Sequence, residues 1–167
     1  MRNLALGLAA VCACHAAFAA GQPPMPRETL PFVRLATRPV AFAEYSGLSD
    51  SVHAVVRDSA AWRALWDRIN APFFPRPVLP AVDFQREMIV VAAMGRQPSG
   101  GYDIVIDGAT EDSSGIEISV RRTVPGERCL MSAAVTDPVD LARIPASGKP
   151  VRFRERELSV PCGGRVP

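Results

Sequence analysis

Histidine and lysine are almost missing from this chain: two histidines and the single Lys149 stand among 167 residues. One of the histidines, His15, falls in the N-terminal stretch read below as an export signal, which leaves His53 as the only imidazole for chemistry. That scarcity argues against Cys-His and Ser-His-Asp catalysis, and Ser99 lacks the Gly-x-Ser-x-Gly elbow of the α/β-hydrolases. Cysteine is equally sparse. Of Cys12, Cys14, Cys129 and Cys162, the last two lie too far apart for the short spacings of a zinc site. A basic surplus is absent too, with 19 Lys and Arg against 17 Asp and Glu, so a nucleic-acid partner is not expected. No apolar run approaches the roughly 20 residues that span a bilayer. The expectation is no catalytic residue, no metal and no cofactor.

Export explains the first residues. Arg2 supplies a positive start, residues 4–11 a short apolar run and Ala17-Phe18-Ala19 a small-x-small cleavage site, so residues 1–19 read as a signal peptide and the mature chain as periplasmic or secreted. The alternative is a lipid-anchored form modified at Cys14. In an oxidising compartment Cys129 and Cys162 read as a disulfide closing a loop of 33 residues, worth at most roughly 3–4 kcal/mol by chain entropy.

Residues 20–39 hold Pro23, Pro24, Pro26, Pro31 and Pro39 and read as a flexible leader. A single domain follows over residues 40–162, with 163–167 as a tail. Residues 41–45 and 52–57 predict a hairpin across a turn-rich 46–50. Asp58 or Ser59 caps a helix whose Trp62, Leu65, Trp66 and Ile69 form one apolar stripe, with Arg63 and Asp67 pairing outside; Asn70 and Pro72 end it. Residues 71–80, studded with proline, cross over without regular structure. Residues 88–94 are unbroken and β-branched, the pattern of a central strand covered on both faces.

From Tyr102 the chain alternates, Tyr102, Ile104 and Ile106 against Asp103, Val105 and Asp107; after a polar turn at 109–114, Ile116, Ile118 and Val120 return. Pairing Ile106 with Ile116 is expected in preference to Ile118, which would set Asp107 against Glu117. Further short strands are expected at 132–135, 139–144 and 151–155, the middle one at an edge because of Pro138 and Pro145. Arg152, Arg154 and Arg156 share a face that keeps a sheet edge solvated. The fold class is α+β, a mainly antiparallel sheet with one packed amphipathic helix.

The sharpest punctuation is Gln97-Pro98-Ser99-Gly100-Gly101-Tyr102, where Pro98, Gly100 and Gly101 set a backbone bend. Arg96, Gln97, Ser99 and Tyr102 are the candidate partner-binding residues. In order along the chain, Trp62-x-x-Leu65-Trp66, Pro80-x-Val82-Asp83-Phe84, a strand ending at Gly95, Pro98-Ser99-Gly100-Gly101-Tyr102, Val124-Pro125-Gly126 and Thr136-Asp137-Pro138 resemble the PrcB family. That family is named for a subunit of a bacterial surface protease complex. The resemblance implies an accessory domain without known catalysis that associates with a protein partner such as a protease. A looser similarity, to chagasin-type protease inhibitors, rests on the Pro98 to Tyr102 loop. An envelope hydrolase using carboxylates that spacing does not single out is the remaining alternative.

Overall fold

In a computed structural model of the chain, residues 26–35 and 44–162 are described. Residues 1–19, read above as a signal peptide and including Cys14, residues 41–43 of the expected first strand and the tail 163–167 lie outside them. The elements are β1 (Glu28–Thr29), β2 (Val33–Arg34), β3 (Ser51–Val56), α1 (Ser59–Ile69), β4 (Glu87–Met94), β5 (Asp103–Asp112), β6 (Gly115–Pro125), β7 (Val139–Pro145) and β8 (Val151–Val160). They build two four-stranded sheets, ordered β1-β5-β6-β8 and β2-β7-β4-β3. Every pairing is antiparallel except β6 with β8, which is parallel. The α+β class, mainly antiparallel with a single helix among the described residues, holds.

From Met88 to Met94 strand β4 is apolar, and it is buried on both faces. Met88, Val90, Ala92 and Met94 point into the layer between the sheets, meeting Ile104, Ile106, Ile116, Ile118 and Val120. Ile89, Val91 and Ala93 point the other way, onto Trp62, Trp66 and Ile69 of α1. Asp58 caps the helix, its carboxylate accepting from Ala61 N–H at 2.8 Å. The crossing segment packs over the tryptophans: the Trp62 and Trp66 indoles donate to the Pro80 and Pro77 carbonyls at 2.9 and 3.0 Å. A proline-rich strand of chain thereby supplies acceptors that two buried indoles require. On the outer surface Asp67 pairs with Arg76 at 3.7 Å, in place of the Arg63 pairing expected from helical spacing.

Several local expectations are corrected. The 41–45/52–57 hairpin does not form among the described residues; β3 pairs with β4 instead, Ser51 opposite Met94 through Val56 opposite Ile89. The β5–β6 hairpin is longer than foreseen. Asp112 accepts from Ser114 N–H, Ser114 Oγ–H and Gly115 N–H, closing the turn immediately after Asp112, so 109–112 are strand and Ile106 faces Val120, neither Ile116 nor Ile118. A bulge at Asp107 resets the alternation, placing Ala109 rather than Gly108 in the core. Residues 132–135 are not a strand, and the only ladder contact beside them is the bridge of Gln97 with Thr136. β7 is not an edge, since β2 adds to its far side at Val33 and Arg34. Its two prolines are tolerated because they stand at its ends.

Within the segment read as a flexible leader, residues 26–35 join both sheets and Leu30 enters the core. Arg34 and Asp140 then cap the part of β5 that β1 leaves uncovered. Arg34 Nη2 donates to the Ile106 carbonyl at 2.8 Å, Asp140 Oδ2 accepts from Ile106 N–H at 2.8 Å, and the two side chains pair at 3.1 Å. Across the opposite edges, His53 of β3 stacks on Phe153 of β8 at 4.6 Å.

Candidate functional site

The bend at 96–101 connects the two sheets, and glycine is required at two places in it. Gly95 ends β4 at φ +73°, where a Cβ would lie 2.7 Å from Ser51 N and 2.8 Å from the Asp50 carbonyl carbon; Gly101 sits at φ +85°, with Met131 filling the space a side chain would need. Between them the backbone is tied to a second segment, 131–137. Gln97 and Thr136 exchange backbone hydrogen bonds of 2.7 and 3.1 Å, Gly100 N–H donates to the Ser132 carbonyl at 3.1 Å, and Thr136 Oγ1 donates to the Ser99 carbonyl at 3.0 Å.

This places the sequence-selected side chains differently from one another. Arg96 is exposed and lies 3.6 Å from Asp137. Gln97 turns back, its amide donating to the Met94 and Gly95 carbonyls at 3.2 and 3.4 Å. Ser99 Oγ is spent on the Gly100 carbonyl at 3.1 Å. Tyr102 is half-buried, its ring against the inter-sheet core. Pro98 is exposed and Gly100 buried. The bend therefore brings Arg96 and Pro98 to the surface and turns the other polar groups into its own scaffold.

Sequence reasoning missed the other half of this surface. Leu130 is fully exposed, and Met131 and Val135 expose 39 % and 49 % of their surface, all on the segment that holds the bend. The Cys129–Cys162 disulfide precedes them directly, anchoring the segment to the end of β8. The signal was present, since Cys129-Leu130-Met131 puts two large apolar residues beside the disulfide cysteine, but they fall just before the strand expected at 132–135 and belong to no patterned element.

Elsewhere several charged groups are engaged with one another. His53 Nε2 lies 2.8 Å from Glu155 Oε1, and Arg122 lies 3.4 Å from the second Glu155 oxygen. Asp107 pairs with Arg156 and Arg121, Glu111 with Lys149, while Asp112 closes its turn, so the three acids near the hairpin do not converge. The Ser114 hydroxyl and N–H hold the Asp112 carboxyl below its ordinary value. Burial pushes Asp140 up, against the hydrogen bond from Ile106 and the charge of Arg34.

A bend of this form, followed by a strand, a long hairpin and a Thr-Asp-Pro step that returns to the bend, is the geometry behind the ordered motifs. Residues 88–145 match the family model described as PrcB C-terminal. The PrcB resemblance thus holds over β4 to β7, the stretch that contains both the bend and the segment bonded to it. No curated protein and no solved structure matches the chain. Helix α1 and strand β8 lie outside the PrcB-like match, although both pack against it. Among the described residues no helix is long and apolar enough to cross a membrane.

Proposed function

We propose that this protein is an exported, non-enzymatic accessory module that docks on a protein partner, a protease or a protease complex, through the surface formed by Arg96, Pro98, Leu130, Met131 and Val135. The match to the PrcB C-terminal family supports a protease-associated role. The observation that carries the choice of surface is the exposure of three large apolar side chains on a segment whose backbone is hydrogen-bonded to the bend. Isolated apolar residues on a surface mean little, but several beside one rigid loop mark a contact site. Gln97, Ser99 and Tyr102 act here mainly through the shape of the bend.

The test is a photo-crosslinker placed at Pro98 or Leu130 in the full chain, expressed in its own envelope. A protease or protease-complex component crosslinked at either position, and lost with Leu130→Asp while circular dichroism is unchanged, supports the reading. Unaltered co-purifying proteins in Leu130→Asp together with a measurable hydrolytic activity overturn it in favour of an enzyme. Stoichiometric inhibition of a protease by the purified protein overturns it in favour of an inhibitor.

A further inference from the structure

Strand β8 is the outermost strand of its sheet and, among the described residues, the longest edge strand, ten residues from Val151 to Val160. Val151 and Phe153 point into the inter-sheet core, which turns Arg152, Arg154 and Arg156 onto the outer face. Arg156 pairs with Asp107 at 2.7 Å. The guanidinium groups of Arg152 and Arg154 make no ion pair or hydrogen bond among the described residues. Neither is ion-paired, although Glu117 stands across the ladder from Arg152, and the two put guanidinium groups two residues apart on an edge that no described strand covers.

Next to that row the sheet surface is hollow. Ser119 of β6 stands opposite Gly108 on one side and Arg154 on the other. Because the bulge leaves only a hydrogen and a hydroxymethyl group there, a depression of about 340 Å³ opens, walled by Asp107, Arg154 and Arg156. The Ser119 hydroxyl has no partner among the described residues and borders this hollow.

We propose that the β8 edge and the adjoining Ser119/Arg154 hollow bind an extended polypeptide strand of another protein that carries carboxylates at alternate residues. Addition of a strand to a sheet edge supplies main-chain hydrogen bonds, and the side chains on one face of the added strand supply specificity. With a period of two, every second residue of the incoming strand stands over the outer face, where its carboxylates meet the arginine row and one of them reaches the hollow at Arg154, the Asp107 carboxylate there being already paired with Arg156 and Arg121. Its remaining residues stand beside Glu155 and Glu157, so acids there are rejected and neutral residues accepted.

The same pattern excludes a second copy of this chain. Residues opposite one another in an antiparallel ladder project from the same face, so a twofold pairing of β8 with itself sets arginine against arginine and glutamate against glutamate. The charges that keep this edge from self-association are thus the ones that select an acidic partner. The arginine row and the hollow are distinct from the 96–101 bend, with six residues of strand from Tyr102 to Gly108, roughly 20 Å, between hollow and bend; only the far end of β8 adjoins Leu130, through the disulfide, and the proposal does not rest on the protease-partner reading.

The probes are three synthetic peptides of about ten residues, an alternating Glu-Thr peptide, an alternating Gln-Thr peptide and the Glu-Thr peptide N-methylated at every residue, titrated against the full chain at low salt, with amide exchange as the second readout. The Glu-Thr peptide is expected to bind at least about tenfold tighter than either control and to weaken as salt rises. It is expected to slow exchange in β8 by about tenfold or more, whereas the N-methylated peptide, which has no backbone donor on either side, is not. Arg154→Gln and Ser119→Leu, both at solvent-facing positions, should each weaken the Glu-Thr peptide by roughly fivefold or more. Equal binding of the Glu-Thr peptide and its N-methylated form overturns strand addition, equal binding of Glu-Thr and Gln-Thr overturns carboxylate recognition, and no binding overturns both.

Discussion

Asp140 shows how one residue carries a structural consequence that no local pattern announces. It lies in a strand whose neighbours are buried and apolar, and it serves the backbone of the opposite sheet by accepting from Ile106 N–H. Burial raises its folded pKa, so protonated Asp140 is favoured by the fold relative to the open chain. Its stabilising contribution is therefore complete below the ordinary aspartate range, about pH 4, and is lost as pH rises through the raised folded value. Urea unfolding of the wild type and of Asp140→Asn across that range should show the wild type losing stability relative to the variant as pH increases; parallel curves would mean that the buried carboxyl is not linked to folding. Asp140→Ala also leaves Ile106 N–H without an acceptor and should cost about 1–3 kcal/mol below about pH 4, the cost shrinking as pH rises through the folded value.

At the scale of elements, legibility tracked how local the deciding interactions are. Helix α1 was readable because its apolar stripe and its cap lie within twelve consecutive residues, and the structure returns Ser59–Ile69 behind Asp58. That cap is an exposed, self-contained interaction, so Asp58→Ala should lower stability by about 0.5–2 kcal/mol, measurable as a fall in the urea midpoint with no change in slope. The faces of β5 and β6 were also legible from alternation, with Ile104, Ile106, Ile116, Ile118 and Val120 all interior. Their register was not. It depends on the Asp112 turn and on the bulge at Asp107, and a period of two cannot count the residues between paired positions. The partner of β3 and the interior place of β7 were hidden for a further reason, because both are decided by segments far away in sequence. Pro138 and Pro145 suggested an edge by a valid local rule, and the short β2 overrode it at the two positions where β7 needed a neighbour.

For the whole molecule, the disulfide is what joins the readable parts to the part that sequence left dark. The bend at 96–101 was visible in its proline and glycines, but the apolar side chains beside it belong to a segment that carries no regular structure and takes its place from contacts with Gln97, Ser99 and Gly100. Cys129 enters that segment and Cys162 follows β8, 33 positions further along the chain. Cross-linking over that separation removes unfolded-chain entropy worth roughly 3–4 kcal/mol, the usual range for a native disulfide. The double variant Cys129→Ser with Cys162→Ser should therefore unfold at lower urea by about that amount. It should also speed amide exchange at Gly100, whose N–H is held by the Ser132 carbonyl, more than at Ile118 in the middle of the sheet, since local openings follow the contacts that restrain each segment. A loss of global stability that raises exchange equally at both amides would mean that the disulfide acts on the unfolded chain alone, and that the surface beside the bend is kept in shape by its backbone hydrogen bonds without it.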